Sequence, residues 1–294
     1  MGTGHGDSRM SDIASLLSAG AESLWLAGIP EPRREASSLL ELALGRGRAF
    51  IVAHPEHEPG EAQQARYLEF IERRSTREPF HYIKGSKEFY GVEIEVSPAV
   101  LIPRPETEML VERAISLLAA REKPIFCEAG VGSGCISVAV LLNVPAATAV
   151  GLEISKAAVD VARRNAERHG VLSRFSLRQS DLFAALSEGE NFDLIVSNPP
   201  YVPQDEIESL QPEVRDHEPV TALTDGGDGL SIIRSIVDAA PRFLNPGGEL
   251  LMEIGAGQGA AVEKMFDPAA WADVRIDVDF QGIPRAVSAV LEDM

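Results

Sequence analysis

Apolar residues recur at helical spacing in the first eighty residues and as short continuous runs beyond residue 120, and the two textures predict two kinds of structure. In the first, Ile13, Leu16, Leu17 and Ala21 form an i, i+3, i+4 stripe that Ser11 and Asp12 can cap, and Pro30 and Pro32 interrupt it. A second helix is predicted over Arg34–Gly45, with Ala36, Leu39, Leu40 and Ala43 on one face and Gly45 as its stop. A third runs from Glu61 to Arg74 through Ala65, Leu68 and Ile71. None of these segments carries a chemical constellation, so the region reads as a small helical domain for packing or partner recognition.

The texture changes near Pro79. Phe89 to Val96 alternates around Gly91, the pattern of a short hairpin, and Pro98, Pro103 and Pro105 exclude a long helix after it. A helix over Glu106–Ala120 follows. Strands are then predicted at Pro124–Glu128, Ala147–Glu153, Phe175–Gln179, Phe192–Ser197, Glu249–Ile254, Val274–Val278 and Ala286–Leu291, separated by segments suited to crossover helices. In the crossover after Glu153, Ser155 is the cap, Ala158, Val161 and Ala162 face inward, and Gly170 closes the helix. Nearly continuous apolar strands are those buried on both faces, so the expectation is an open, doubly wound α/β sheet. The expected boundaries are a loose N-terminus over 1–10, a helical domain over 11–85, a hairpin linker over 86–104 and the sheet domain over 105–294.

Composition narrows the setting. Apolar residues make up 45% of the 294, enough for a full core. No apolar run approaches the roughly 18 residues of a membrane span, and the first ten residues lack the apolar stretch of a signal peptide. Cys127 and Cys135 have no Cys or His companions at metal-ligand spacing. They read as reduced core thiols of a cytoplasmic protein, with no metal site. The net charge of −18 is uneven: residues 1–90 hold 11 Lys/Arg against 13 Asp/Glu, and residues 91–294 hold 16 against 32. An acidic surface repels phosphate backbones and favours a basic partner, although acidity also serves solubility alone.

Candidate chemistry begins at Glu128-Ala129-Gly130-Val131-Gly132-Ser133-Gly134, where a strand gives way to a helix. Glycines there allow a tight turn and close approach of a ligand; Cys135 breaks the dinucleotide fingerprint as usually written. Glu153, 23 residues beyond Gly130 at the end of the next strand, is placed to accept both hydroxyl protons of a ribose. Together they indicate a nucleoside cofactor, without separating a nicotinamide dinucleotide from S-adenosylmethionine. Asp181 can accept from an adenine amino group, or cap a following helix, and Leu182 can cover the adenine face.

Asn198-Pro199-Pro200-Tyr201, after the strand Phe192–Ser197, decides the chemistry. The Asn198 side-chain oxygen and the Pro199 carbonyl are two acceptors, matched to the two donors of an –NH2 group. Pro199 offers no competing N–H, and Tyr201 offers a flat face for a planar amide or base. Such a nitrogen is a poor nucleophile. Fixing its plane aims the lone pair at a sulfonium methyl, and the acceptors stabilise the growing positive charge. Asn198, Pro199 and Tyr201 are the candidate catalytic residues.

These residues resemble the protein-(glutamine-N5) methyltransferases of class-I peptide chain release factors. The likeness runs through Glu35-Ala36, Leu39-Leu40, Glu78-Pro79, Tyr82-Ile83, Gly85 and Phe89-Tyr90-Gly91. It continues through Leu101-Ile102-Pro103-Arg104-Pro105-Glu106-Thr107-Glu108, the Gly130–Gly134 loop and Asn198–Tyr201. It ends in Asp225-Gly226-Gly227, Asp228-Gly229-Leu230, Pro246-Gly247-Gly248, Glu253-Ile254-Gly255 and Gln258-Gly259. The resemblance implies a class-I, Rossmann-like methyltransferase domain with a mostly parallel seven-stranded sheet, joined by a β-hairpin to an all-α domain that helps bind the release factor. It implies S-adenosylmethionine held by Gly130, Val131, Gly132, Ser133, Gly134, Glu153 and Leu182, to which Asp181 and Asn198 are added as expected cofactor contacts. It implies a Gly-Gly-Gln glutamine held by Asn198, Pro199, Pro200 and Tyr201. The protein is further expected to be a monomer that engages no nucleic acid or membrane directly. Departures are Val131 for the family's usual Thr, Glu128 and Glu153 for Asp, and Leu182 for a frequent aromatic residue.

Three rival readings exist. A DNA adenine-N6 methyltransferase shares the Asn-Pro-Pro-Tyr device but must grip phosphates, whereas residues 201–228 hold eight carboxylates and one Arg, Arg215. A non-catalytic scaffold is disfavoured by the intact Asn198 and Tyr201. Glutamine methylation of a ribosomal protein is the third.

Overall fold

The computed structural model describes residues 12–292, so the N-terminal stretch expected to be loose and the Ser11 cap lie outside the described residues. Two compact units emerge, one formed by residues up to Lys84 together with Pro212–His217, the other by Gly85–Gln211 and the chain from Glu218 onward.

The helical unit contains α1 (Ile13–Leu26), α2 (Pro32–Leu44), α3 (Arg48–Ala53), α4 (Glu61–Ser75) and α5 (Phe80–Lys84). Asp12 caps α1 through the Ser15 N–H, and Gly45 ends α2 in the left-handed region that a glycine enters freely. Leu16, Leu24, Leu39, Leu40, Tyr67 and Ile71 meet in its core. Each buried leucine contributes about 1.5–3 kcal/mol. The Tyr67 hydroxyl donates to the Leu16 carbonyl at 3.2 Å. Gly20 is the close approach that admits it: a Cβ there would lie 2.0 Å from that oxygen. The unexpected member is the helical turn Pro212–Arg215, which follows the Asn-Pro-Pro-Tyr motif in the chain after the segment 202–211. Arg74, almost fully buried, reaches Glu35 at 3.0 Å and Glu213 at 3.0 Å, and Arg77 reaches Glu213 at 2.8 Å.

The second unit opens with the hairpin β1 (Ser86–Phe89) and β2 (Val92–Glu95), which turns at Tyr90-Gly91. Its main sheet contains β3 (Ile125–Ala129), β4 (Thr148–Glu153), β5 (Phe175–Gln179), β6 (Phe192–Ser197), β7 (Leu244–Glu253), β8 (Trp271–Val278) and β9 (Pro284–Leu291). The order is β5-β4-β3-β6-β7-β9-β8. The β5-β4-β3-β6-β7 ladders are parallel, and β9 pairs antiparallel with both β7 and β8. Helices α6 (Glu108–Leu118), α7 (Cys135–Asn143) and α8 (Lys156–Arg168) connect or flank the parallel part. The order reverses at β3, between β4 and β6, and that switch point opens a crevice at the strands' carboxyl ends. No helix among the described residues is long and apolar enough to cross a membrane.

β7 begins five residues earlier than its apolar run, because Leu244 pairs with Phe192 before a register shift skips the Pro246-Gly247-Gly248 bend. No helix follows Asp181; the chain makes tight turns there, with the Ser180 hydroxyl accepting the Ala185 N–H.

Candidate active site

The crevice holds a cavity of about 350 Å³, within the range of small-ligand sites. Gly130, Val131, Gly132, Ser133, Glu153, Asp181, Leu182, Asn198, Pro199 and Pro200 all line it, joined by Thr107, Glu128 and Asp225. Two candidates lie off this wall. Gly134 starts α7 with its backbone against Ala162, where a Cβ would come within 3.2 Å. The Tyr201 side chain reaches away to Glu253.

The glycine loop is held on two sides. Gly130, Gly132 and Gly134 all adopt positive φ, of 75°, 53° and 78°. The Glu153 carboxylate accepts the Gly132 N–H at 2.9 Å and the Ser155 N–H at 2.9 Å, one on each oxygen. On the other side the fully buried Asn165 donates to the Ser133 carbonyl at 2.9 Å while exchanging hydrogen bonds with the backbone of Glu95. Glu128, fully buried below the loop, accepts both the N–H and the hydroxyl of Ser137. Burial raises its carboxyl to about 8, against the pull of those two donors.

The wall fits the nucleoside part of a cofactor. Each Glu153 oxygen keeps a lone pair beyond its backbone bond, Asp181 supplies a further acceptor, and Val131, Leu152 and Leu182 supply apolar surface. Around Gly132 a Cβ would meet nothing within 4 Å, so a ligand can come up to the backbone there.

On the same cavity wall Asn198 follows β6. Its Nδ2 donates to Thr107 Oγ1 at 3.0 Å, and no described residue donates to its Oδ1 or to the Pro199 carbonyl. The Ser197 hydroxyl ties the end of β6 to the Ala129 carbonyl at 2.7 Å. Gln258 donates to the Tyr201 carbonyl at 2.9 Å and accepts the Gly255 N–H, holding the exit from the motif. Burial, then the Glu253 charge, pushes the Tyr201 phenol above its ordinary value, so it stays protonated and acts as a donor.

Chain similarity now bears on this geometry. Residues 15–85 match the model of the PrmC N-terminal domain, and residues 107–230 match that of the methyltransferase small domain. A release factor glutamine methyltransferase from Geobacter sulfurreducens is 44% identical over 88% of this chain and 90% of its own length. Another from Cereibacter sphaeroides is 43% identical over 95% of this chain and 98% of its own. The chain belongs to the release factor glutamine methyltransferase family. A methyltransferase from Pyrococcus furiosus, 19% identical, shares the fold with a TM-score of 0.53 over 71% of this chain and 92% of its own.

Within this family frame, three residues join the site that motif reading gave no role. Thr107 and Glu253 bond to Asn198 and Tyr201 as described, and Glu218 fastens the segment before α6. For Thr107 and Glu253 the signal lay in the Pro-Arg-Pro-Glu-Thr and Glu-Ile-Gly strings, whose chemistry is visible only when the turn before α6 and the ends of β6 and β7 are brought together. The eight carboxylates of residues 201–228 are not all surface charges. Glu218 is buried and accepts from the Ile102 N–H at 3.2 Å and Arg104 at 2.6 Å, and Glu213 belongs to the Arg74–Arg77 cluster. Neither is a free surface charge; Asp205, Glu206 and Glu208 are exposed.

Proposed function

We propose that this protein transfers a methyl group to the side-chain amide nitrogen of the glutamine in the Gly-Gly-Gln motif of class-I peptide chain release factors. The observation that carries the reading is the amide polarity of Asn198: its NH2 is engaged by Thr107, leaving its oxygen as an acceptor on the cavity wall beside Pro199. A pair of acceptors there receives the two donors of a primary amide. The relatives' shared activity supports glutamine over other amides.

S-adenosylmethionine supplies an electrophilic methyl group when bound. The residues that would hold it are the Gly130–Ser133 loop, Glu153 at the ribose, and Asp181 with Leu182 at the adenine. This chain's own contribution is to position. Asn198 and Pro199 fix the plane of the substrate amide, so its lone-pair face is directed at the cofactor side of the cavity. The N–H bonds become more acidic as nitrogen gains charge, so the same two acceptors bind the transition state more strongly than the ground state. Tyr201, held by Glu253 and Gln258, forms the far side of the motif.

Mass spectrometry of class-I release factors incubated with the protein and S-adenosylmethionine tests the reading. A 14-Da increment on the Gly-Gly-Gln glutamine is the expected result. A methyl group found only on a ribosomal protein or on DNA adenine in parallel incubations would overturn it.

A further inference from the structure

Asn198, Thr107, Glu253 and Tyr201 form one hydrogen-bonded chain. We infer that Thr107 and Glu253 are positioning residues whose bonds fix which end of the Asn198 amide faces the substrate; this rests on the function proposed above.

Register brings the groups together. β6 and β7 run parallel with Ser197 opposite Met252, so the next residues along, Asn198 and Glu253, end adjacent strands. Thr107 arrives from the turn that precedes α6. The Glu253 carboxylate is buried, with one oxygen accepting the Thr107 hydroxyl at 2.6 Å and the other the Tyr201 hydroxyl at 3.0 Å.

Donor and acceptor counting sets the direction of the chain. Each hydroxyl directs its single proton to a Glu253 oxygen, Thr107 to one and Tyr201 to the other. Thr107 Oγ1 is left with lone pairs alone to offer Asn198. Only the NH2 end of Asn198 can bond to them, as it does at 3.0 Å. The oxygen end is thereby turned to the cavity.

This matters because the two ends of an asparagine amide have nearly the same shape. Without the Thr107 acceptor either end could face the cavity, and an NH2 group presented to a substrate NH2 sets donor against donor. The Thr107–Glu253 pair converts an ambiguous side chain into a fixed acceptor. Burial pushes the Glu253 carboxyl above the usual carboxylate range, opposed by its two hydroxyl donors.

The test uses the full chain with Thr107→Val, Thr107→Ser and Glu253→Gln. Thr107→Val keeps the shape and removes the acceptor, and Glu253→Gln can donate to Thr107 and reverse the chain. Both should lower kcat on a release factor roughly 10- to 100-fold, less than the roughly 100-fold or more for loss of a preorganised group itself, because Asn198 is retained. Affinity for S-adenosylmethionine by calorimetry should stay within about twofold, since neither residue bonds to the glycine loop or Glu153. Thr107→Ser should restore most of kcat. Equal impairment in the Val and Ser variants would mean that the Thr107 methyl group matters and the hydroxyl does not, and would overturn the inference. So would wild-type kcat in Thr107→Val or Glu253→Gln.

A readout independent of turnover separates this from failure of the proposed function. In the protein alone, the Asn198 side-chain NH2 resonances, identified by their loss in Asn198→Ala, should shift in Thr107→Val and keep their positions in Thr107→Ser. Unshifted resonances in Thr107→Val would overturn the inference even where no glutamine is methylated.

Discussion

Glu153 and Gly132 share a hydrogen bond of 2.9 Å between a carboxylate at the end of β4 and the middle of the glycine loop after β3. The acid therefore shapes the loop as well as facing the cavity, and its removal acts twice. Glu153→Ala should weaken S-adenosylmethionine binding by about 3 kcal/mol, through two lost bonds to a charged acceptor. Calorimetry should show the loss in affinity, and kcat at saturating cofactor should change far less. Unchanged affinity would place the ribose elsewhere.

Asn198→Ala removes the acceptor itself. Turnover should fall on the order of 100-fold or more, because the lost interaction strengthens as charge develops on the substrate nitrogen. The thermal midpoint should remain close to that of the parent, since Asn198 makes one protein hydrogen bond and is not a core residue. Near-normal kcat would remove the basis of the proposed mechanism.

How much of this was legible in the sequence differs by kind of feature. β3, β4 and β6 were plain because they are almost wholly buried, whereas the edge strand β5 is largely half-buried or exposed; Phe175–Gln179 and Phe192–Ser197 both stand at the predicted limits. Gly130–Ser133, Glu153 and Asn198 were marked as candidates by local spacing, and the fold brings them to one cavity. The short helices α3 and α5 were missed because five or six residues are too few for a periodic stripe. The membership of Pro212–His217 in the helical unit was invisible, because it depends on Arg74 and Arg77 in a segment far back along the chain. The Thr107–Glu253 bond likewise spans 146 positions, and only the placement of the turn before α6 against the end of β7 reveals it.

Among the carboxylates of residues 205–218, the exposed Asp205, Glu206 and Glu208 and the paired Glu213 have different predicted effects. Asp205, Glu206 and Glu208 are exposed, so changing them together to Lys should slow association with a basic release factor and reduce its salt dependence, while a short Gly-Gly-Gln peptide at saturation is methylated at the usual rate. Glu213 instead neutralises a buried guanidinium. Burial pushes its carboxyl up, but its backbone bond and Arg74 and Arg77 outweigh that and hold it below the ordinary range. Glu213→Ala leaves Arg74 with Glu35 and should cost about 3 kcal/mol in denaturant unfolding. Stopped-flow rates indifferent to salt and to the triple reversal would transfer partner recognition to other surfaces.

Glu128 gives a pH dependence whose sign can be worked out. Its ordinary pKa is 4.5, and in the folded protein burial raises it to about 8. Below about pH 4.5 the carboxyl is protonated in both states and costs nothing. Between 4.5 and 8 the unfolded chain ionises there and the folded chain keeps its proton, so the native state binds more protons and stability falls as pH rises. Above about 8 both states are ionised and this contribution is flat. Glu128→Gln removes the titration and still accepts from Ser137, so its stability relative to the parent should climb steadily from pH 5 to pH 8 in paired thermal or urea unfolding. A constant difference across that window would mean that Glu128 ionises normally in its buried position.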